Sequence, residues 1–513
     1  MKHTKIYSFL IIISLVILSL GSWNYLNEKD SRTYQHESEL KTTIQCSHED
    51  ETLCTHLPII VIDTKEQIME TAQIEHENIE GINYEGIYLE GLVSVIDNES
   101  EYNHIKDESA LSSGVMIKYR GNSSMYFEKK QYLIKFINES GEEAEYGMMG
   151  MSTDNEWVLN GNFMDKSFMR NYLCYSVAGE IMEYSPDSRF CEVVTKNGDE
   201  YTYQGLYLMT ESIKRDSEKV DIRKYDPKLP TTSYIVRRDR FNPDENILMT
   251  FGTENNLTDE FIGLKYPSKT KVDEKTLAFV ANDISFIEEI MYSEEGLDLD
   301  RLSDYINLDS FVDYFIINEL FGNYDAGLYS TYSYKDLGGK LKMGPVWDFD
   351  RSMDNDPAYI MDIGNTVINN YSWYDTLFTD KKFTDRVVKR YKKLRQTVLS
   401  DEYLTSFIDD TALYISLPVE RNNHVWGYIY EMNLLNNIPD SNGNIVDRNS
   451  PTFEDEIDRM KGILTSRGSW LDENIEILYD YSTDSNKDLL PDNLNALLFI
   501  ATFLISIIIV KFE

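Results

Sequence analysis

Residues Asn318 to Asp350 read NELFGNYDAGLYSTYSYKDLGGKLKMGPVWDFD. Their beginning closes a helix-like stretch that includes Phe311, Tyr314, Phe315 and Ile317, apolar at helical spacing. Tyr329 to Tyr334 is a strand pattern, and Lys335-Asp336-Leu337-Gly338-Gly339 is a turn. The chain returns through Lys340 to Met343, so a strand pair is predicted near 329–346. Asp325 precedes the first strand and Asp348 follows the second. Pairing the strands therefore brings two carboxylates, born at the two open ends of one hairpin, close together.

Phosphoryl transfer requires such a pair: one carboxylate orients the acceptor hydroxyl, and another holds Mg²⁺ against the ATP phosphates. Each Asp alone also fits a turn or cap role. Upstream, Val115 to Ile137 reads VMIKYRGNSSMYFEKKQYLIKFI. This is a second hairpin, with Arg120-Gly121-Asn122-Ser123-Ser124 at its tip, where free backbone N–H groups favour anions. In its return strand Leu133, Lys135 and Ile137 share one face, and Tyr132, Ile134 and Phe136 the other. Lys135, between apolar neighbours, must snorkel to water or meet an anion; an ordinary surface lysine is the simpler alternative.

Further out, strand-like segments dominate from Leu57 to about 240, with one clear helix from about Lys166 to Glu183, and helices dominate beyond about 274. The fold class expected is α+β and two-lobed, with a strand-rich N-terminal part and a helix-rich C-terminal part. With 42% hydrophobic and 27% charged residues the chain has a globular composition. Its net charge of −39 excludes a basic nucleic-acid-binding surface and suits basic protein segments as partners. Within this acidity, Lys381 to Arg395 (KKFTDRVVKRYKKLR) is a basic block. As a helix it aligns Phe383, Val387, Tyr391 and Leu394 on one stripe, and its charges suit either solvent or an anionic partner.

Both ends are apolar. Ile6 to Leu20 follows Lys2 and Lys5, and Leu494 to Val510 precedes Lys511. We expect a signal anchor at 1–26, with a cleaved signal peptide as the alternative, a polar tether at 27–55, a folded domain at 56–480, a linker at 481–493 and a transmembrane helix at 494–510. The positive charges place both termini in the cytoplasm and the body outside the cell membrane. Cys46 and Cys54 then suit a disulfide closing a short loop, while the lack of CxxC and the scarcity of His argue against zinc.

Seven ordered segments resemble the CotH (spore coat protein H) kinase family, an atypical protein-kinase-like fold. They are LPIIVIDT (57–64), RGNSS with KKQYLIKF (120–136), DKSFMRNYL (165–173), QGLYLMTES (204–212), NELFGNYDAGLYSTYSY (318–334), MGPVWDFD (343–350) and RGSWLD (467–472). The resemblance implies a membrane-anchored, extracytoplasmic protein kinase, with ATP as co-substrate and Mg²⁺ as cofactor, that modifies Ser or Thr of a basic, Ser-rich protein in a spore-coat or cell-surface setting. By this likeness Asp325 is the catalytic acid and Asp348 a metal ligand. Lys135, or else Lys130, meets the phosphates with Arg120 nearby, and Glu211 lines the nucleotide pocket. Arg170 joins a charge network or forms a helix-face salt bridge. Where kinase-like sites carry an Asn as second metal ligand, five residues after the catalytic Asp, this chain has Ser330; Asp350 is placed to compensate. The competing expectations are a catalytically inactive surface adhesin or scaffold on the same fold, and a metal-dependent hydrolase.

Overall fold

The computed structural model describes residues 53–482, apart from 75–82, 99–101, 122, 243–244, 436–438, 440–442, 444 and 446. The expected anchor, most of the tether, nearly all of the linker and the apolar segment 494–510 lie outside the described residues. Among the described residues no helix is long and apolar enough to cross a membrane. Cys54 is disulfide-bonded, and its partner lies outside the described residues. Cys174 and Cys191 are buried free thiols.

Seven strands close a barrel: β1 (Ile59–Asp63), β2 (Leu89–Ile96), β3 (Leu111–Arg120), β4 (Gln131–Ile137), β5 (Glu156–Asn160), β6 (Ser188–Asn197) and β7 (Glu200–Glu211), in the order β6-β7-β5-β4-β3-β2-β1. Every neighbouring pair is antiparallel except β1 and β6, whose parallel pairing closes the ring and leaves no open edge. The predicted faces of β4 hold. Tyr132, Ile134 and Phe136 point into a core shared with Ile60, Ile62, Val93, Val115, Ile117 and Trp157, while Lys135 faces outward. In β7 the same alternation serves two cores, because Tyr207 and Met209 fill the barrel and Leu206 and Leu208 face the helices. The tip of the β3–β4 hairpin is longer than a tight turn and includes a 3₁₀ segment, Ser123–Tyr126.

The helical part comprises α1 (Arg170–Ile181), α2 (Glu274–Met291), α3 (Leu308–Phe321), α4 (Lys381–Leu394), α5 (Asp401–Trp426) and α6 (Phe453–Asn474). Helix α1 begins four residues later than predicted, because Asp165 folds residues 165–169 into a turn: its carboxylate accepts from Ser167 N–H at 3.1 Å and Arg170 N–H at 2.9 Å. Arg170 to Ala178 are all buried, so α1 is a central helix with no polar face. Helix α5 lies against β7, where Gly205 (φ +109) leaves room for it: a Cβ there would stand 2.4 Å from Asn422 Oδ1. Asn422 Oδ1 instead accepts from Leu206 N–H at 3.1 Å and from the buried Lys129 Nζ at 2.8 Å.

A second sheet joins the two parts: β8 (Tyr234–Asp239), β9 (Asn246–Leu248), β10 (Phe261–Tyr266), β11 (Thr331–Lys335) and β12 (Leu341–Met343), in the order β9-β10-β8-β11-β12. The β11–β12 hairpin is the predicted one, shortened at both ends. Helix α4 buries Phe383, Val387, Tyr391 and Leu394 as predicted. Its basic face is met by acids of the same chain: Lys382 by Asp300, Arg386 by Asp309, Arg390 by Asp313 and Lys392 by Glu476. This internal neutralisation explains the basic block without an outside anion.

Candidate functional site

Asp325 is carried by the end of α3. Asn307 caps the start of that helix, and Gly322, at φ +64, ends it in the left-handed conformation glycine tolerates. Asn323 turns back and donates its side-chain amide to Asn318 Oδ1 at 3.0 Å. The Asp325 carbonyl accepts from the N–H groups of Leu328 and Tyr329 at 3.1 and 2.8 Å. The half-buried Asp325 carboxylate therefore sits on a closed, hydrogen-bonded turn.

Asp348 follows β12, in a segment pinned to α1 and α3. Asp348 N–H donates to Tyr175 Oη at 3.2 Å, Phe349 N–H to Asn171 Oδ1 at 2.7 Å, and Arg170 Nε to the Ser352 carbonyl at 3.0 Å. Met353 N–H donates to the Phe321 carbonyl at 2.8 Å. These bonds hold Asp348 at φ +68, and across the hairpin Ser330 stands at φ +47. A left-handed non-glycine residue costs about 1–3 kcal/mol and persists only where its surroundings enforce it. The Ser330 hydroxyl lies 3.5 Å from Asp348 Oδ2, so it spans the two open ends of the hairpin.

Three acids share this place. Burial pushes the Asp325 carboxyl above its usual range, and the Asp348 charge adds to the shift. Asp348 is raised by burial and by Asp239, against Arg120, Arg351 and the Ser330 hydroxyl. Asp350 is pushed up to about 7, by burial first and by Asp348 second. Mutual repulsion between partly desolvated carboxylates of this kind is relieved by a cation. Among the described residues no three His, Cys, Asp or Glu side chains form a ready-made metal cage. Mg²⁺ does not need one, since it is held by one or two carboxylates together with water and substrate phosphates. Asp348 and Asp350 fit it as hard oxygen donors.

Behind the acids lies a lattice of opposite character. Arg170, fully buried, contacts Asp165 at 2.6 Å and Glu456 at 2.7 Å. Arg459 bonds Glu456 at 2.9 Å and Asp354 at 3.3 Å, and Arg448 reaches Asp354 at 3.0 Å. Arg170 thus joins a charge network, as one of its two expected roles required, and through Ser352 it sets the loop that carries Asp348 and Asp350.

The other predicted residues divide. Arg120 is brought to the cluster. It donates to Gln131 Oε1 and Asn160 Oδ1, both at 3.0 Å, and its charge draws Asp348 downward. Lys135 finds its anion inside the protein, pairing with Glu156 at 3.1 Å on the barrel's outer wall. Lys130 Nζ donates to the Met125 carbonyl at 2.7 Å, within its own hairpin. Glu211 accepts from Ser152 at 2.5 Å, Tyr184 at 3.0 Å and Asp187 N–H at 3.0 Å, and lies 3.8 Å from Lys219. Lys135 and Glu211 are linked through Glu156, Lys214, Asp154 and Lys219 into one ion chain. In sum, Asp325, Asp348, Asp350, Ser330 and Arg120 are assembled together, while Lys135, Lys130 and Glu211 are bonded within the barrel part.

Sequence reasoning missed Asp239, Arg240 and Arg351, whose charges act on the three acids. Arg351 directly follows the WDFD motif. The run Arg237-Arg238-Asp239-Arg240 carries four charges in succession, but charged residues are ordinarily solvent-facing, so nothing in the sequence signalled their role.

The comparison with protein families matches residues 117–471 to CotH kinase protein. The match holds every site residue named above, whereas the LPIIVIDT segment, which forms β1, lies ahead of it. No curated protein matches the chain. The family match spans well over half of the 513 residues and encloses both the RGNSS tip and the WDFD loop, and the chain therefore belongs to the CotH kinase protein family.

Proposed function

We propose that this protein transfers the γ-phosphate of ATP to Ser or Thr hydroxyls of a protein, from an extracytoplasmic body held at the cell membrane by both termini, in a spore-coat or cell-surface setting. One observation carries the reading: the two open ends of one hairpin meet, with the Ser330 hydroxyl 3.5 Å from Asp348 and the Asp348 charge acting on Asp325. In this reading Asp325 accepts a hydrogen bond from the acceptor hydroxyl and takes its proton as the oxygen attacks phosphorus, and ADP leaves. Asp348 and Asp350 hold Mg²⁺, which when bound offsets the phosphate charge. Arg120, which acts on Asp348, and Arg351, which acts on all three acids, favour the same anionic groups. Family membership supports kinase-like chemistry; membrane anchoring rests on the apolar terminal segments of the sequence.

The test is incubation of the full-length chain with γ-labelled ATP, Mg²⁺ and a Ser-rich basic protein, beside Asp348→Ala. Label on protein that falls by at least about a thousandfold in the variant is expected, because electrostatic positioning supplies most of such catalysis. If free phosphate appears without labelled protein, the hydrolase reading takes over. No label and no thermal shift with ATP plus Mg²⁺ favours the scaffold, since a ligand of the native state must stabilise it.

A further inference from the structure

Strand β8 ends at Asp239, and its pairing with β11 runs up to Arg238. Tyr234 faces Lys335 and Arg238 faces Thr331, so the next two residues, Asp239 and Arg240, come abreast of Ser330 and Tyr329. The Arg240 guanidinium carbon stands 3.6 Å from the centre of the Tyr329 ring, in cation–π contact. Tyr329 N–H is itself bonded to the Asp325 carbonyl at 2.8 Å. Ring and guanidinium are thereby fixed to the turn that presents Asp325.

The neighbouring arginines are neutralised within the protein: Arg237 by Asp239 and Glu245, and Arg238 beside Glu288 at 3.7 Å. Arg240 is exposed and forms no ion pair among the described residues. Its charge acts on Asp325, that of Arg120 on Asp348, and that of Arg351 on both. Seated on the ring that is tied to the Asp325 turn, Arg240 stands on the acceptor side of the site. An exposed guanidinium held flat against a ring loses little freedom when it binds, and its fork matches a carboxylate or phosphate in two-point contact.

We infer that Arg240 is a specificity residue that binds an anionic side chain, a carboxylate or a phosphate, flanking the acceptor hydroxyl of the protein substrate. The inference rests on the proposed kinase reading and deepens it. It also refines the expectation of a basic partner: the net charge of −39 attracts basic segments over distance, while Arg240 selects an acid at the point of transfer.

The experiment compares three Ser peptides that differ only beside the acceptor, with Ala, Asp or phosphoserine, using the full-length chain and its Arg240→Ala, Arg240→Lys and Arg240→Glu variants. Labelling kinetics are measured, together with peptide affinity in the absence of ATP. Wild type should favour the Asp or the phosphoserine peptide by about tenfold, mainly through KM and peptide affinity, the size of one charge-assisted contact. The preferred peptide tells carboxylate from phosphate recognition. Arg240→Ala should abolish the preference, Arg240→Lys retain part of it and Arg240→Glu reverse it, with thermal unfolding unchanged because the side chain is exposed. Equal use of all three peptides by wild type, or a preference that survives in Arg240→Ala, overturns the inference and leaves the kinase reading standing. No label on any peptide or on the Ser-rich protein removes the kinase reading and this inference with it.

Discussion

Asp350 and Asp354 are four residues apart, yet they belong to regions of opposite electrostatic character. In the lattice that holds Asp354, Glu456 is drawn down to about 2: burial works against its charge, but Arg170, Arg459 and the Ser450 hydroxyl outweigh it. In the cluster that holds Asp350, burial and Asp348 win, and the carboxyl rises to about 7. Glu456 is fully buried and Asp350 only half-buried, yet it is Asp350 that is pushed toward its neutral form, so burial alone does not explain the contrast. Direct pairing does: each lattice acid is in contact with an arginine, whereas Asp325, Asp348 and Asp350 form no ion pair among the described residues. In the proposed reading the matched lattice is scaffold, and the unpaired, half-buried acids at the end of a pinned loop are the place for a cationic or hydrogen-bonding ligand.

The most direct way to break this contrast is to unmatch the lattice. Arg170→Ala leaves Asp165 buried without a cation and Glu456 with Arg459 alone, and should cost about 3–5 kcal/mol in urea unfolding. A loss under about 1 kcal/mol would mean that the lattice is not what holds the Ser352 loop. Next in size is acid sensitivity. Glu456 has a depressed folded pKa, so its contribution is complete above the unfolded value of about 4.3 and disappears as pH falls toward 2; it amounts to roughly 3 kcal/mol. Glu456→Gln should therefore flatten the acid limb of a stability–pH curve over that window, and an unchanged limb would assign acid unfolding to other groups.

The cluster responds with the opposite sign. Asp350→Asn removes repulsion from the protein free of Mg²⁺ and should stabilise it by on the order of 1 kcal/mol, discounted for the group's partial exposure, while labelling of substrate is lost. Thermal unfolding without Mg²⁺ reads the gain, and a destabilised variant would show Asp350 to be a scaffold acid after all. The smallest expected effect is that of Ser330→Asn. An amide oxygen is a better Mg²⁺ ligand than a hydroxyl, so the Mg²⁺ concentration needed for half-maximal labelling should fall severalfold. A rise would mean that the hydroxyl beside Asp348 has a role that an amide cannot fill.

Much of the site was legible because it is local. The two acids flank one short hairpin, and a hairpin with a Gly-Gly turn is written in consecutive residues, so Asp325 and Asp348 meet wherever that hairpin forms. The faces of β4 and the buried stripe of α4 followed from periods of two and of 3.6 residues. Lys135 shows where that reading stops. Its outward direction was predictable, but its partner was set by the β4–β5 register, which places Glu156 directly across from it. Asp239 and Arg240 reach the site only because β8 enters the sheet between β10 and β11, and no periodicity in residues 234–240 announces that neighbour.

The sequence by itself determined the faces that β4 and α4 bury, the α+β division and the pair of acids at the hairpin's ends, because sterics and hydrophobic burial act between residues near in the chain. Only the tertiary structure decided which charges are matched and which are left in surplus: Arg170 with Glu456, Lys135 with Glu156, Arg240 on Tyr329, Asp350 beside Asp348. Coulomb energy and desolvation depend on distance in space and on the medium between the charges. Both are set when strands and helices distant in sequence come together.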